Sequence, residues 1–228
     1  MTLAKYHRVT LLALLALTVI VVSGAAVRLT GSGLGCDDWP RCNETSFVAA
    51  SDFHEAVEQI NRAFTGIVSV AVMLAVLGAL VLEERRRDLT LWSLGLVAGV
   101  AAQIVLGGLV VLFDLSPWLV LGHFTLSMVL VWNAVVLHHR ARGPAGARVS
   151  TLSPRLTMVA RVVVALSMIA IFSGTIVTGS GPHSGAHGDE IVERLPFAVH
   201  NVVRLHGGAP RAPARRAPPT SRRPRRSR

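Results

Sequence analysis

Long apolar stretches separated by short polar segments dominate the hydrophobicity pattern of the chain. An α-helix rises about 1.5 Å per residue, so stretches of this length can cross roughly 30 Å of hydrocarbon. Polar or charged residues flank every one of them. The pattern therefore predicts five membrane-spanning helices, at residues 11–27, 63–82, 89–113, 118–137 and 162–177.

The distribution of Lys and Arg between the loops predicts the orientation of these spans. Ten lie in the N-terminal segment and in residues 83–88 and 138–161, whereas five lie in the segments on the opposite side. Short loops rich in Lys and Arg stay in the cytoplasm. We therefore expect a multi-pass protein of the plasma membrane with a cytoplasmic N-terminus. Cys36 and Cys42 then face an oxidising compartment, where a disulfide can persist.

Composition agrees with a membrane protein and separates the body of the chain from its C-terminal end. Apolar residues make up 51% of the chain and charged residues 16%, and the mean hydropathy is +0.52, which excludes an ordinary soluble enzyme. Of the net charge of +10, eight positive charges belong to the arginines of residues 207–228, which leaves +2 for residues 1–206. Because the basicity is confined to one segment, we expect no specific nucleic-acid partner for the body.

An internal repeat links the first and fifth predicted spans. Residues 23–33 read SGAAVRLTGSG, and residues 173–181 read SGTIVTGSG, which is the same motif with two residues deleted. Both copies stand at the outer end of their span. The repeat predicts an all-α polytopic membrane protein with a four-helix transmembrane bundle in residues 1–140 and the start of a second, pseudo-repeated bundle in residues 141–206.

The composition changes abruptly after residue 206, where three further spans of the second half are expected. Residues 207–228 contain five prolines and no apolar run. Such a segment cannot bury enough apolar surface to fold alone, so we predict a disordered basic tail. Two explanations remain open: a frame change or truncated gene that removes the last three spans, and a natural tail that binds anionic lipid or nucleic acid.

Few side chains in or beside the spans can carry chemistry. Glu55, Glu58 and Asn61 follow an i, i+3 spacing just before the second span, which predicts one shared helix face. His123 lies near the outer end of the fourth span, at a comparable depth. An ionisable group within a span is costly and indicates function, although a hydrogen bond to a neighbouring helix also explains a lone histidine. His206 occupies the position in the second repeat that Asn61 occupies in the first.

Histidines near the outer ends of bundle helices can hold a haem by its axial positions. The sequence contains no C-x-x-C-H motif, so such a haem would not be covalently attached. Cys36 and Cys42 flank a short loop that contains Pro40, and its length suits a local disulfide. A loop staple and a redox-active pair are both consistent with this spacing.

Together, several motifs resemble the heme A synthase family, the membrane enzymes that make the haem of cytochrome oxidases. The resemblance extends from residue 11 to about residue 206. It implies eight spans in two pseudo-repeated four-helix bundles, and oxidation of the C8 methyl group of haem O to a formyl group, which gives haem A for cytochrome c oxidase assembly. The motifs are residues 24–36 with Trp39, Pro40 and Cys42, then 58–62, 103–108, 122–123 and 178–185.

The resemblance also implies roles for individual residues. His123 is similar to an axial ligand in the half that holds haem O, and Glu58 to the acidic residue next to that substrate. His206 is similar to the first ligand of a haem b in the second half. Cys36 and Cys42 are similar to the family's extracellular cysteine pair, and we predict that they form a disulfide with each other.

Arginines on the outer side are suited to hold haem propionates by charge-assisted hydrogen bonds. Arg28, Arg41 and Arg62 are the candidates. The chain departs from the family at Asn61, where many members have histidine, and in the missing last three spans, which leave the haem b site incomplete. We therefore expect little or no heme A synthase activity from the chain as written.

Two other functions compete with this enzyme. One is a haem-binding or electron-transfer membrane protein without catalysis, and the other is a structural membrane protein whose histidines only pack. The expected partners are haem O, haem A and the lipid bilayer, with haem O synthase and a second copy of the chain as further candidates.

Overall fold

A computed structural model describes residues 1–143, 153–188 and 191–208 of the chain. Its described part is entirely helical outside the loops, and five helices have the length and apolar composition of membrane spans. The prediction of an all-α polytopic membrane protein is confirmed. The predicted basic tail lies outside the described residues from residue 209 onward. The helices are α1 (Leu3–Leu29), α2 (Phe53–Leu80), α3 (Arg87–Leu112), α4 (Pro117–Arg140), α5 (Pro154–Ser180) and α6 (Val199–Gly207).

Several helices begin outside the predicted apolar runs because polar residues cap them. The Asp52 side chain accepts hydrogen bonds from the backbone N–H groups of His54 (2.7 Å) and Glu55 (3.0 Å), so α2 starts ten residues before its apolar run. Ser153 caps α5 in the same way, with Pro154 as the first helical residue. The caps satisfy N–H groups that would otherwise lack partners at the helix ends.

Helices α1 to α4 form a four-helix bundle. Helix α1 contacts α2 and α4, and α3 contacts the same two helices, so α1 and α3 lie on one diagonal. Glycine allows close approach, because a Cβ at Gly78 would lie 3.0 Å from Cδ2 of Tyr6. Lipid tails are as apolar as the bundle interior, so such close packing, rather than burial from water, stabilises helix association.

The packed apolar core fills only one end of this bundle, the end predicted to be cytoplasmic. It includes Tyr6 and stops at Leu17, Val68, Val100 and Leu130 on the four helices. Beyond this level, toward the outer end, the four helices contribute no further residue to the cluster. The outer half of the bundle therefore has a different interior from the inner half.

Helices α5 and α6 begin the second copy of the repeat. Helix α5 packs against α4 and α6, and none of its most apolar stretch is buried within the described residues. Helix α6 has nine residues, so it is too short to cross a membrane. Helix α5 carries the second repeat copy at its end and α6 follows it, as α1 carries the first copy and α2 follows it.

Candidate functional site

Just beyond the end of the apolar core, every helix of the bundle carries at least one polar side chain. Ser23 lies on α1, Asn61 on α2, Gln103 on α3 and His123 on α4, each within about two turns of the last core residue. All four are only partly buried. Ser23 Oγ lies 2.8 Å from Asn61 Oδ1 and so joins α1 to α2. We call these four residues the polar level.

The backbone of His123 is held by α3 and by its own helix. Gln103 Nε2 and Ser127 Oγ both donate to the His123 carbonyl at 3.0 Å. The imidazole lies against Gly107, where a Cβ would be 3.2 Å from Cε1. Among the described residues, His123 Nδ1 and Gln103 Oε1 are buried without a hydrogen-bond partner. An unpaired buried polar atom can contact a bound ligand, and these two atoms lie at the same level of the bundle.

Glu58 lies nearby on α2 and is 5% exposed. Its Oε2 accepts from the backbone N–H of Cys36 at 2.8 Å, and its Oε1 accepts from Nε (3.0 Å) and Nη2 (2.6 Å) of Arg62. Arg62 also donates to the carbonyls of Arg41 (2.9 Å) and Asp38 (3.1 Å). The pair therefore attaches the loop that contains the cysteines to α2.

The expected polar face of α2 is divided between three different sets of partners. Glu55 accepts from Ser51 at the start of the helix, whereas Glu58 faces the cysteine loop and Asn61 meets Ser23 on α1. Helical spacing places these residues on one side of the helix, but the loop and α1 approach that side at different heights.

Cys36 and Cys42 form a disulfide, with an S–S distance of 2.00 Å, which confirms the predicted pairing. Trp39 lies in the loop that this bond closes. Its indole packs on α3 at Gly108, where a Cβ would be 2.7 Å from Cδ2. No hydrogen bond or ion pair between described side chains joins Glu58 to His123. The loop connects them instead, because Gly108 is adjacent to the glycine on which His123 packs.

Two guanidinium groups meet at the outer end of the first and fifth helices. Arg28 Nη2 donates to the carbonyls of Thr178 (3.1 Å) and His183 (2.8 Å), and Arg194 Nη2 donates to the same two oxygens at 2.7 and 3.4 Å. Burial lowers the pKa of Arg194. Arg194 Nε is buried without a partner among the described residues. The sequence indicates Arg194 only as one of the five Lys and Arg residues on the outer side, and not as a site residue.

The loops that follow the two repeat copies pack on each other. The Gly33 N–H donates to the Gly185 carbonyl at 2.7 Å, and the rings of His54 and His187 stack with centroids 4.2 Å apart. Gly31 has a φ of +68°, a conformation that glycine adopts without strain. The outer ends of both halves therefore form one continuous surface.

His206 on α6 repeats the arrangement seen at Asn61. Its Nδ1 lies 2.8 Å from Ser173 Oγ, and its ring lies over Gly174, where a Cβ would be 3.1 Å from Cε1. Ser173 is the repeat equivalent of Ser23. The structure thus places His206 and Asn61 at corresponding positions of the two halves.

These residues fit a haem. Imidazole nitrogens of His123 and His206 are common haem-iron ligands, and the unpaired Nδ1 of His123 lies beyond the end of the main apolar cluster. The paired guanidinium groups of Arg28 and Arg194 suit carboxylates such as propionates. The Asn61 amide, in contrast, is a poor ligand for iron.

Comparison with known proteins gives sequence relatives and no structural one. A heme A synthase of Listeria welshimeri is 30% identical over 129 residues, which are 55% of this chain and 42% of the relative. A heme A synthase of Oceanobacillus iheyensis is 31% identical over 52% of this chain and 40% of the relative, and one of Geobacillus kaustophilus is 32% identical over 46% and 33%. No solved structure matches the chain.

The matched region spans less than half the length of these curated relatives. The sequence profile of the COX15-CtaA family, described as cytochrome oxidase assembly protein, matches residues 7–183. This match extends over all four helices of the bundle and both copies of the repeat. The chain therefore belongs to the COX15-CtaA family, whose curated members include heme A synthases.

Proposed function

We propose that the chain is a heme A synthase whose first bundle, residues 1–140, binds haem O in its outer half. The observation that carries this proposal is the end of the apolar core at a level where His123 and Gln103 leave buried polar atoms unpaired. The names of the relatives, heme A synthases, support haem O as the substrate. The end of the apolar core supports a binding position in the outer half of the bundle. The product is haem A for cytochrome c oxidase.

In this proposal His123 would supply an imidazole ligand to haem iron in the first bundle. Gln103 and Gly107 determine where its ring lies, because one holds the His123 backbone and the other makes room for the ring. Converting the C8 methyl group to a formyl group removes four electrons and adds one oxygen atom. A bound haem supplies iron-centred redox chemistry for this, which no side chain of the chain provides.

Glu58 contributes a fixed negative charge and a proton acceptor near the outer end of the bundle. A preorganised carboxylate stabilises positive charge that develops on a substrate, and it can take up a proton released during oxidation. Arg62 holds this carboxylate in place through two hydrogen bonds. Arg62 therefore acts through Glu58. We assign Arg28 and Arg194 to the haem propionates instead.

Residues 141–206 begin the second bundle, in which His206 is a ligand for haem b. The outer loops of the two halves pack on each other, which supports two haem sites on the same side of the membrane. With a cytoplasmic N-terminus in the plasma membrane, that side is the outer one.

The test uses the whole chain in lipid nanodiscs, titrated with haem O and followed by absorption spectroscopy, with haem products separated by chromatography. Both histidines can bind haem, so His123→Ala is made in a His206→Ala background. It should abolish the remaining haem binding, whereas the matched control His139→Ala, at the other end of α4, should leave it unchanged.

Two outcomes would overturn the proposal in different ways. Unchanged haem binding after His123→Ala removes the first-bundle site. In a protein that also carries the three further spans expected of the family, normal haem O binding without haem A formation, in the presence of oxygen and a reductant, supports the non-catalytic haem-binding alternative instead.

A further inference from the structure

The Ser-Gly pair that opens each repeat copy makes the same contact in both halves. Ser23 Oγ lies 3.0 Å from the Ile20 carbonyl and 2.8 Å from the Asn61 side chain. Ser173 Oγ lies 3.2 Å from the Ala170 carbonyl, again three residues earlier, and 2.8 Å from Nδ1 of His206. The repetition of this geometry indicates a function for the hydroxyl that the repeat has retained in both copies.

The two neighbours of Ser173 Oγ determine the direction of its hydrogen bonds. A hydroxyl has one proton to donate, and a carbonyl oxygen can only accept. If Ser173 donates to the Ala170 carbonyl, its oxygen accepts from Nδ1–H of His206, and both contacts are hydrogen bonds. If Ser173 donates to Nδ1 instead, no proton lies between its oxygen and the Ala170 carbonyl oxygen, and that contact is not a hydrogen bond.

We propose that Ser173 is a positioning residue that holds His206 in the tautomer with its proton on Nδ1. The lone pair of Nε2 is then free for iron, and Gly174 leaves space for the ring in this orientation. Ser23 makes the corresponding contact with the side chain at position 61, where Asn61 has no tautomer to fix. The importance of this tautomer for haem rests on the proposed function, whereas the tautomer itself does not.

Outer hydrogen bonds of this kind orient metal ligands, and their removal costs about 10- to 100-fold in metal affinity. The neutral imidazole exchanges between two tautomers, and only the one with a free Nε2 binds iron through that atom. A fixed tautomer and ring orientation therefore raise the affinity of His206 for haem iron.

The direct test is NMR of the histidine ring nitrogens in the haem-free chain in nanodiscs, at a pH where the imidazole is neutral, with His206→Ala for assignment. We expect His206 to carry its proton on Nδ1. Ser173→Ala should give a mixture of tautomers. Thr175→Ala is the matched control, because Thr175 lies on the same helix and, among the described residues, its hydroxyl donates only to the Ile171 carbonyl (2.7 Å).

A second readout measures haem b affinity in the His123→Ala background. Ser173→Ala should weaken binding about 10-fold or more, Ser173→Thr should restore most of it, and Thr175→Ala should not change it. A His206 proton on Nε2 in the unsubstituted chain, or a tautomer unaffected by Ser173→Ala, would overturn the proposal. Haem binding that is insensitive to His206→Ala would instead remove the proposed haem role and leave the tautomer result standing.

The first half offers an independent test of the same idea. Asn61→His introduces an imidazole next to Ser23, and we expect its proton on Nδ1. Adding Ser23→Ala should release this tautomer, whereas adding Thr18→Ala should not, because within the described part of the chain the Thr18 hydroxyl donates only to the Leu14 carbonyl of its own helix. Equal tautomer populations in all three variants would show that the serine has no positioning role in this half.

Discussion

The Glu58 carboxylate is shared between partners from two parts of the chain. Arg62 lies one turn further along the same helix, and the Cys36 N–H belongs to the disulfide loop. Truncating one partner of a buried ion pair typically costs about 3–5 kcal/mol, because the other charge stays buried without compensation. Glu58 therefore stabilises the outer loop whatever its part in chemistry, and an experiment must separate the two roles.

We predict that Glu58→Gln keeps haem O bound and lowers haem A formation about 10-fold or more. Glutamine can still accept from the Cys36 N–H but carries no charge to stabilise a cationic substrate or take up a proton. Haem retention and product yield are measured on the same nanodisc sample, with the second half of the protein restored.

The matched control for this prediction is Glu55→Gln, one turn earlier on the same helix, whose carboxylate bonds Ser51 at the surface. It should change neither readout. A Glu58→Gln yield equal to that of the unsubstituted protein would show that the carboxylate is only structural.

Among the helices, α2 shows how a cap extends a span beyond its apolar run. Its first turn lies between Asp52 and the buried Glu58, and it contacts the outer loops through His54, whose Nδ1 lies 2.9 Å from Ser32 Oγ. Glu58 therefore lies close to a helix start that is capped by the exposed carboxylate of Asp52.

The cap makes the start of α2 sensitive to acid. The backbone N–H groups of Glu55 and His54 lower the pKa of Asp52, so its stabilising effect is present above the pKa of the unfolded chain and is lost as the pH falls through the folded pKa. We predict that amide-exchange protection of the first turn of α2 falls across this acidic range. Asp52→Asn keeps an uncharged cap and leaves only the Glu55 carboxylate to titrate in this turn, so its protection should fall less, and equal pH profiles for both proteins would contradict the prediction.

The contact between the disulfide loop and α3 requires a glycine. A Cβ at Gly108 would lie 2.7 Å from the Trp39 ring, so Gly108→Ala should displace the indole and destabilise the protein by about 1–3 kcal/mol. Thermal unfolding and tryptophan fluorescence measure the two effects. Gly66→Ala is the control, because no atom of the residues that the structure describes lies within 4 Å of a Cβ built there. Equal melting temperatures for the two variants would contradict the predicted clash.

In the molecule as a whole, the two halves meet through their outer loops. Hydrogen bonds from Arg28 and Gly33 reach residues that follow α5, and the stacked His54 and His187 add a further contact. The disulfide loop and the loop after α5 therefore lie on one side of the membrane. The excess of Lys and Arg on the other side predicts which side this is.

We predict that Cys36 and Cys42, after reduction, react with a membrane-impermeant thiol reagent added from outside the cell. In a cysteine-free background, Glu84→Cys in the loop between α2 and α3 should react only after the membrane is opened. Labelling of the native pair solely from the cytoplasmic side would reverse the topology.

The sequence alone determined the fold class, the spans, the repeat and the family. A membrane requires each spanning segment to satisfy its own backbone hydrogen bonds, so an apolar run of sufficient length is already a helix. The repeat in the sequence shows that His206 and Asn61 occupy equivalent positions in the two halves. The short spacing of Cys36 and Cys42 suggested the disulfide. Each of these features depends on order along the chain.

Only the tertiary structure decided which side chains meet. It paired Glu58 with the backbone of Cys36, placed Arg194 on the same carbonyls as Arg28, and showed that the apolar core ends below His123. The physical reason is that lipid and bundle core are both apolar. A span that is apolar on all sides carries no pattern to indicate which face turns inward, so helix rotation and loop docking emerge only from packing.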